Sequence, residues 1–269
     1  MIKTHATTAR AIEQNARPSA DFEAKLGQTQ ALLVQAANEH PANKIVQASS
    51  LGAEDMVISH LIQSLGLEIG IFVLNTGMLH NETLALLQDL KAATSSSAHN
   101  SVQVYTPVPE AVVTFVKREG KDPMYRSMEL RKACCDIRKM EPLKRALEGK
   151  TAWVTGLRRE QSGARAEVPL RDVTEASRVK FNPLADWTWG DVWHYISDHK
   201  VAYNALHDQF YPSIGCAPCT RAISQGEDFR AGRWWWEDET AKECGLHVAQ
   251  TEPPLAVPID SKKTEEITV

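Results

Sequence analysis

The chain of 269 residues contains no apolar stretch long enough to cross a bilayer. Its first residues, MIKTHATTARAIEQNARPSADFEAK (1–25), lack the continuous apolar run that an export signal needs. These two absences lead us to expect a soluble, cytoplasmic protein with no membrane partner. It also lacks an excess of one charge: 30 Lys and Arg stand against 34 Asp and Glu, a net charge of -4, so no overall field draws nucleic acid. Only the local basic run LRREQSGAR (157–165) offers itself to a small anion. Cysteine is scarce, with five in all, which argues against a disulfide framework in a reducing compartment and leaves thiols for metals or catalysis. There is no internal repeat. Neither G-x-x-x-x-G-K-[ST] nor G-x-G-x-x-G occurs at the strand-to-helix turns, which argues against an ordinary P-loop NTPase or a dinucleotide-binding dehydrogenase.

What is present alternates. Residues 20–38 read as an amphipathic helix, KIVQASSL (44–51) as a strand and AEDMVISHLIQSL (53–65) as a helix. EIGIFVLNT (68–76) is expected as a buried strand, residues 81–91 as a helix and SVQVYTPV (101–108) as a third strand. A helix over 127–147 and a strand at TAWVTGL (151–157) follow, then a helix in 187–200 opened by Thr188, with Trp189, Val192, Trp193 and Ile196 on one face. Such alternation implies an α/β fold with a mostly parallel sheet flanked by helices. We expect an N-terminal helical segment (1–40), an α/β domain (41–220) and a mobile C-terminal tail (221–269), where the periodicity weakens into GRWWWE, KECGLH and TEPPLAVPI.

Three features bear on chemistry. The turn SSLGAED (49–55) joins a strand to a helix N-terminus, where free N–H groups and the helix dipole suit an anion, although small residues there also make an ordinary sharp corner. Cys134 and Cys135 in one predicted helix and Cys216 and Cys219 in a C-x-x-C loop supply four thiolates, a complete set for zinc or for an iron–sulfur cluster. Adjacent helical side chains diverge, so one zinc would strain the chain where separate irons of a cubane would not; structural zinc is the rival reading. Cys244 stands apart in KECGLH, a polar segment with little core to hide a thiol. Lys242, His247 and arginines from GEDFRAGRWWW are placed to stabilise its thiolate. The tryptophans 234–236 read as a packing anchor for the tail.

In this order SSLGAED, LNTG, CC-x-x-R-K, TGLRREQS-x-x-R, G-C-x-P-C, RAGRWWWE and KECGLH form a specific combination, spread over residues 44–247. Through it the chain closely resembles the assimilatory adenylylsulfate (APS) reductases, the cluster-containing branch of the phosphoadenylylsulfate reductase family. The resemblance implies an adenine-nucleotide alpha-hydrolase-like fold, similar to that of the ATP pyrophosphatases, with a C-terminal segment that closes over the site. It implies conversion of adenylylsulfate to sulfite and AMP at the expense of thioredoxin or a glutaredoxin-like donor, and a homo-oligomer that binds no nucleic acid. Cys134, Cys135, Cys216 and Cys219 would hold a [4Fe-4S] cluster, and Cys244 would be the nucleophile that carries an S-sulfocysteine intermediate. Lys139, Arg165, Arg230 and His247 match family positions around the sulfate; Ser49, Gly52, Leu74, Thr76, Gly156 and Arg233 match positions near the nucleotide. Leu51 and Asn75 depart from the family pattern, where serine and aspartate are common. Two alternatives stay open: a phosphoadenylylsulfate or dual-substrate reductase, and, more remotely, a zinc-containing RNA-modifying enzyme of the ATP-pyrophosphatase type.

Overall fold

The computed structural model of the chain describes residues 10–95, 101–173 and 178–237. Two helices, α1 (Ala11–Asn15) and α2 (Phe22–Glu39), precede β1 (Ile45–Ser49), after which strands and helices alternate. These are α3 (Ala53–Ser64), β2 (Gly70–Leu74), α4 (Asn81–Thr94), β3 (Val102–Tyr105), α5 (Pro109–Glu119), α6 (Met128–Cys135), α7 (Glu141–Ala146) and β4 (Ala152–Val154). The short strands β5 (Arg171–Asp172) and β6 (Val179–Phe181) and the helix α8 (Trp189–His199) complete the set. The sheet runs β3-β2-β1-β4-β6-β5, parallel throughout except for β5, which pairs antiparallel with β6 at the edge.

Side chains alternate across the sheet and are covered on both faces. Ile45, Val73, Ala152 and Val154 pack against Leu33, Val57, Leu86 and Val192, whereas Val46, Phe72 and Trp153 face Leu143, Ala146 and Leu147. The helix α8 begins as its sequence predicts: Asp191 N–H donates to Thr188 Oγ1 at 3.0 Å and Thr188 N–H to Asp191 Oδ2 at 2.9 Å. Val192, Trp193 and Ile196 are buried. Trp189 is half-buried and sits edge-on to Trp193 and Phe229 at 5.4 and 4.9 Å.

Three segments differ from the sequence-based expectation. The single helix expected over 127–147 is interrupted by a π-helical turn at Asp136–Met140, because Pro142 lacks the N–H that would bond the carbonyl four residues back. The helix α5 was not anticipated, although Pro109 at its start and Glu110 in its first turn are ordinary helix-start signals. Only Phe115 of that helix is buried, so its apolar pattern is faint. The edge hairpin β5–β6 also escaped notice, since strands of two and three residues carry no readable alternation. No helix among the described residues is long and apolar enough to cross a membrane.

Candidate active site at the carboxyl edge of the sheet

From β1 the chain winds outward through β2 and β3, then returns to place β4 and β6 on the other side. The carboxyl ends of β1 and β4 therefore flank the point where strand order reverses, the usual place for a ligand in such sheets. A cavity of about 200 Å³ opens there. Its walls come from the ends of β1, β2 and β4, from the π turn, and from the loop that carries Cys216 and Cys219.

The β1–α3 turn is more self-contained than its sequence implies. Ser50 N–H and Ser50 Oγ both donate to Asp55 Oδ2 at 2.6 Å, Leu51 N–H donates to Ser49 Oγ at 3.2 Å, and Gly52 N–H to Ser50 Oγ at 3.3 Å. An internal carboxylate thus takes donors that an external anion was expected to use. Burial pushes the Asp55 carboxyl up to about 6; the Ser50 hydroxyl and N–H and the Gly156 N–H pull it back, and Glu54 adds to the rise. Gly156, just past β4, is required by contact: a Cβ there would lie 2.5 Å from Asp55 Oδ1 and 2.9 Å from Glu54 Cβ. Leu51 turns its fully buried side chain into the core from a left-handed backbone (φ 62), and Asn75 Oδ1 accepts from Gly77 N–H at 3.0 Å. Asn75 therefore braces its local turn, whereas Leu51 fills the core.

Behind this turn lies a buried polar chain. Arg158, fully enclosed beneath Trp189 and Phe229, donates from Nε to Glu54 Oε1 at 2.9 Å. Gln161 Nε2 donates to the same oxygen at 2.9 Å, and Arg165 Nη1 donates to Gln161 Oε1 at 2.5 Å. Arg165 is buried and lines the cavity.

The cysteine region adjoins the cavity directly. Cys134 and Cys219 are buried with Phe115, Met124 and Trp234, while Cys135 and Cys216 are half-buried; none of the four is held in a disulfide. Burial raises the Cys134 thiol, and burial followed by the neighbouring Cys216 pushes Cys219 up to about 12. Cys134, Cys216 and Cys219 lie close enough for their charges to interact, with Arg138, Arg131 and Arg233 opposing the rise. Thr76 Oγ1 meets Cys216 Sγ at 3.2 Å, and Arg138 Nη1 donates to Thr76 O at 2.9 Å. The C-x-x-C loop is pinned through Ala217 N–H to Met78 O (2.7 Å), through Tyr125 OH to Pro218 O (2.6 Å) and through Trp234 N–H to Cys219 O (3.2 Å). Arg131 and Arg233 stack on Trp234 at 4.7 and 4.6 Å, and Arg131 forms a two-pronged pair with Glu237 at 3.0 and 2.7 Å. Trp234 therefore anchors the segment that leads into the tail. Among the described residues, no group of three or more His, Cys, Asp or Glu side chains converges as one metal ion would require. Among the described residues, the buried Trp234 Nε1 and Arg233 Nε atoms have no hydrogen-bond partner.

Of the residues singled out from sequence, Ser49, Leu74, Thr76, Lys139, Gly156, Arg165, Arg233, Cys135, Cys216 and Cys219 line the cavity. Cys134 lies in the packed layer beneath. Gly52 is held inside its turn, and Arg230 is buried with its guanidinium 6.0 Å from the Trp234 ring. Cys244 and His247 lie outside the described residues. Sequence reasoning did not find Glu54, Asp55 or Gln161. Two carboxylates in SSLGAED were the available signal, masked by their ordinary role in a helix's first turn.

Comparison with known proteins places this arrangement. Residues 44–222 match the phosphoadenosine phosphosulfate reductase domain family. The chain is 53% identical over 212 residues to an adenosine 5'-phosphosulfate reductase of Allochromatium vinosum, covering 78% of this chain and 81% of that one. It is 50% identical over 234 residues to an adenosine 5'-phosphosulfate reductase of Burkholderia cepacia, covering 87% and 91%. Among solved structures, a phosphoadenylyl-sulfate reductase of Candida auris in complex with phosphate superposes with a TM-score of 0.57 at 26% identity, over 71% of this chain and 88% of that one. An FMN adenylyltransferase of Candida glabrata, bound to FMN and an ATP analogue, superposes with a TM-score of 0.51 at 13% identity, over 84% and 72%. The fold is thus the expected α/β, adenine-nucleotide alpha-hydrolase-like architecture.

Proposed function

The chain belongs to the phosphoadenosine phosphosulfate reductase domain family, and from that membership we propose that it reduces adenylylsulfate to sulfite and AMP in assimilatory sulfate reduction. A thioredoxin-type dithiol protein of the cytoplasm is the electron donor. The relatives of about half-identical sequence, named as adenosine 5'-phosphosulfate reductases, support this substrate. The observation that carries it is one cavity, at the sheet's switch point, lined at once by Lys139, Arg165, Arg233 and three cysteines. Cations there match a substrate whose phosphate and sulfate are both anionic.

In this reading the Cys244 thiolate attacks the sulfonyl sulfur, and the bond from that sulfur to the phosphate oxygen breaks, its electron pair leaving with AMP. Lys139, Arg165, Arg230 and His247 surround the sulfate, lowering the repulsion between two anions and stabilising charge that grows on the leaving phosphate. Ser49, Gly52, Leu74, Thr76, Gly156 and Arg233 hold the nucleotide. A donor thiolate then attacks the Cys244 sulfur, sulfite departs with the electron pair of the sulfur–sulfur bond, and the donor's second thiol resolves the mixed disulfide. The two electrons are those of the donor's dithiol.

Cys134, Cys135, Cys216 and Cys219 fit a [4Fe-4S] cluster. Four cysteines are gathered from two segments, and the buried Nε1 of Trp234 and Nε of Arg233 have no hydrogen-bond partner among the described residues. Thiolates that bind separate irons need not meet at one point. When bound, the cluster supplies structural order and a local field at the cavity wall.

Mass spectrometry of the protein mixed with adenylylsulfate, without reductant, tests the reading. A sulfite-sized adduct on the peptide that contains Cys244 is expected, and its absence in an active preparation refutes the intermediate. Turnover on adenylylsulfate is expected to exceed that on the 3'-phosphorylated substrate, and the reverse ratio would overturn the substrate assignment.

A further inference from the structure

Gln161 has no part in the thiol chemistry, yet it occupies the middle of the buried chain that ends at the cavity. Its amide is fully used. Oε1 accepts from Arg165 Nη1 at 2.5 Å and from Arg158 N–H at 3.2 Å; Nε2 donates to Glu54 Oε1 at 2.9 Å and to Gly156 O at 3.3 Å. Two partners only donate and two only accept, so the amide has one orientation and cannot flip without losing all four bonds. Gln161 itself is buried.

The partners of Gln161 are rigid in turn. Glu54 sits in the first turn of α3 and accepts from Arg158 Nε, and Arg158 is enclosed under Trp189 and Phe229 at 5.3 and 5.6 Å. Gly156 is tied to the β1–α3 turn by its N–H, which bonds the Asp55 carboxylate. The frame therefore ties the ends of β1 and β4 to the one guanidinium that Gln161 presents. A glutamate in its place would lose both donations and set a second carboxylate against Glu54. It would also place a negative charge directly on Arg165. The neutral amide transmits position and adds no charge.

Resting on the reading of Arg165 as a sulfate ligand, we propose that Gln161 is the positioning residue for Arg165, fixing its guanidinium on the anionic end of adenylylsulfate without neutralising it. The test is a double-mutant cycle in the Cys244→Ser holoenzyme, with adenylylsulfate titrated calorimetrically into the parent, Gln161→Met, Arg165→Gln and the double variant. A displaced charge-assisted hydrogen bond is expected to weaken binding about tenfold in Gln161→Met. In the Arg165→Gln background the same change is expected to cost nothing further. Binding stoichiometry reports the folded fraction, so a purely structural role would lower the number of sites and leave the dissociation constant alone; that result would overturn the proposal. Additive losses in the cycle would also overturn it. If Arg165→Gln weakens binding and Gln161→Met does not, the inference about Gln161 falls while the reading of Arg165 stands. If Arg165→Gln has no effect, both fall. Gln161→Glu, which preserves shape and the acceptor, is expected to bind at least as weakly as Gln161→Met, and unchanged binding there would refute the role of neutrality.

Discussion

Asp55 makes a prediction that can be worked through in numbers. Its carboxylate is buried, receives both Ser50 donors at 2.6 Å, and has its pKa raised by burial from 3.8 to about 6. A gap of about two units corresponds to ~3 kcal/mol. Because the folded value is the higher one, the unfolded chain releases its proton first. Stability is therefore fully present below about pH 4, falls as pH rises toward about 6, and is flat above that. Roughly half of the loss, ~1.4 kcal/mol, lies between pH 5 and pH 8. Asp55→Asn abolishes this titration while retaining a carbonyl oxygen for Ser50. Its cost, the lost acceptor for the Gly156 N–H, is the same at every pH. The Tm of the variant minus that of the parent should therefore rise by about 3–6 °C from pH 5 to pH 8, at roughly 2–4 °C per kcal/mol for a chain of this size. Thermal unfolding of both proteins in matched buffers measures it, and contributions common to the two cancel. Parallel Tm curves would show that Asp55 is already ionised at pH 5 and would refute the argument.

Gly156→Ala forces a Cβ to within 2.5 Å of Asp55 Oδ1. A loss of about 1–3 kcal/mol in urea unfolding is expected, with weaker AMP binding by calorimetry. The Arg131–Glu237 pair, with side chains 2% and 7% exposed, should behave as a buried ion pair. Glu237→Ala is expected to cost about 1.5–3 kcal/mol by thermal unfolding, because it removes both charge-assisted hydrogen bonds from a buried guanidinium. Cys219→Ser should lose iron and sulfide on purification, seen by elemental analysis and visible absorbance, whereas Cys244→Ser should keep both and lose all sulfite production.

How well each element could be read in advance follows from its length and environment. The strands at 44–51 and 68–76 and the helix at 53–65 were evident because fully buried parallel strands and their crossovers are long apolar runs between turn residues. The helix α5 and the edge hairpin were not, since one buried residue in the first and strands of two and three residues in the second leave no periodic signal. Pro142 was visible within the predicted helix at 127–147. Its consequence, a π turn that carries Lys139 to the cavity wall, depends on how α6 and α7 are anchored at either end.

The residue types alone determined the chemistry on offer: four thiols in two pairs, a fifth apart from them, and a basic run just after a strand. Each is a covalent property of the chain, readable without coordinates. Tertiary structure alone decided which partners those groups meet. Gln161 joins Glu54 to Arg165 across more than a hundred residues of sequence. Such pairings depend on which strand ends are brought side by side, and local periodicity carries no information about that because hydrogen bonds between distant segments form only once the sheet has closed.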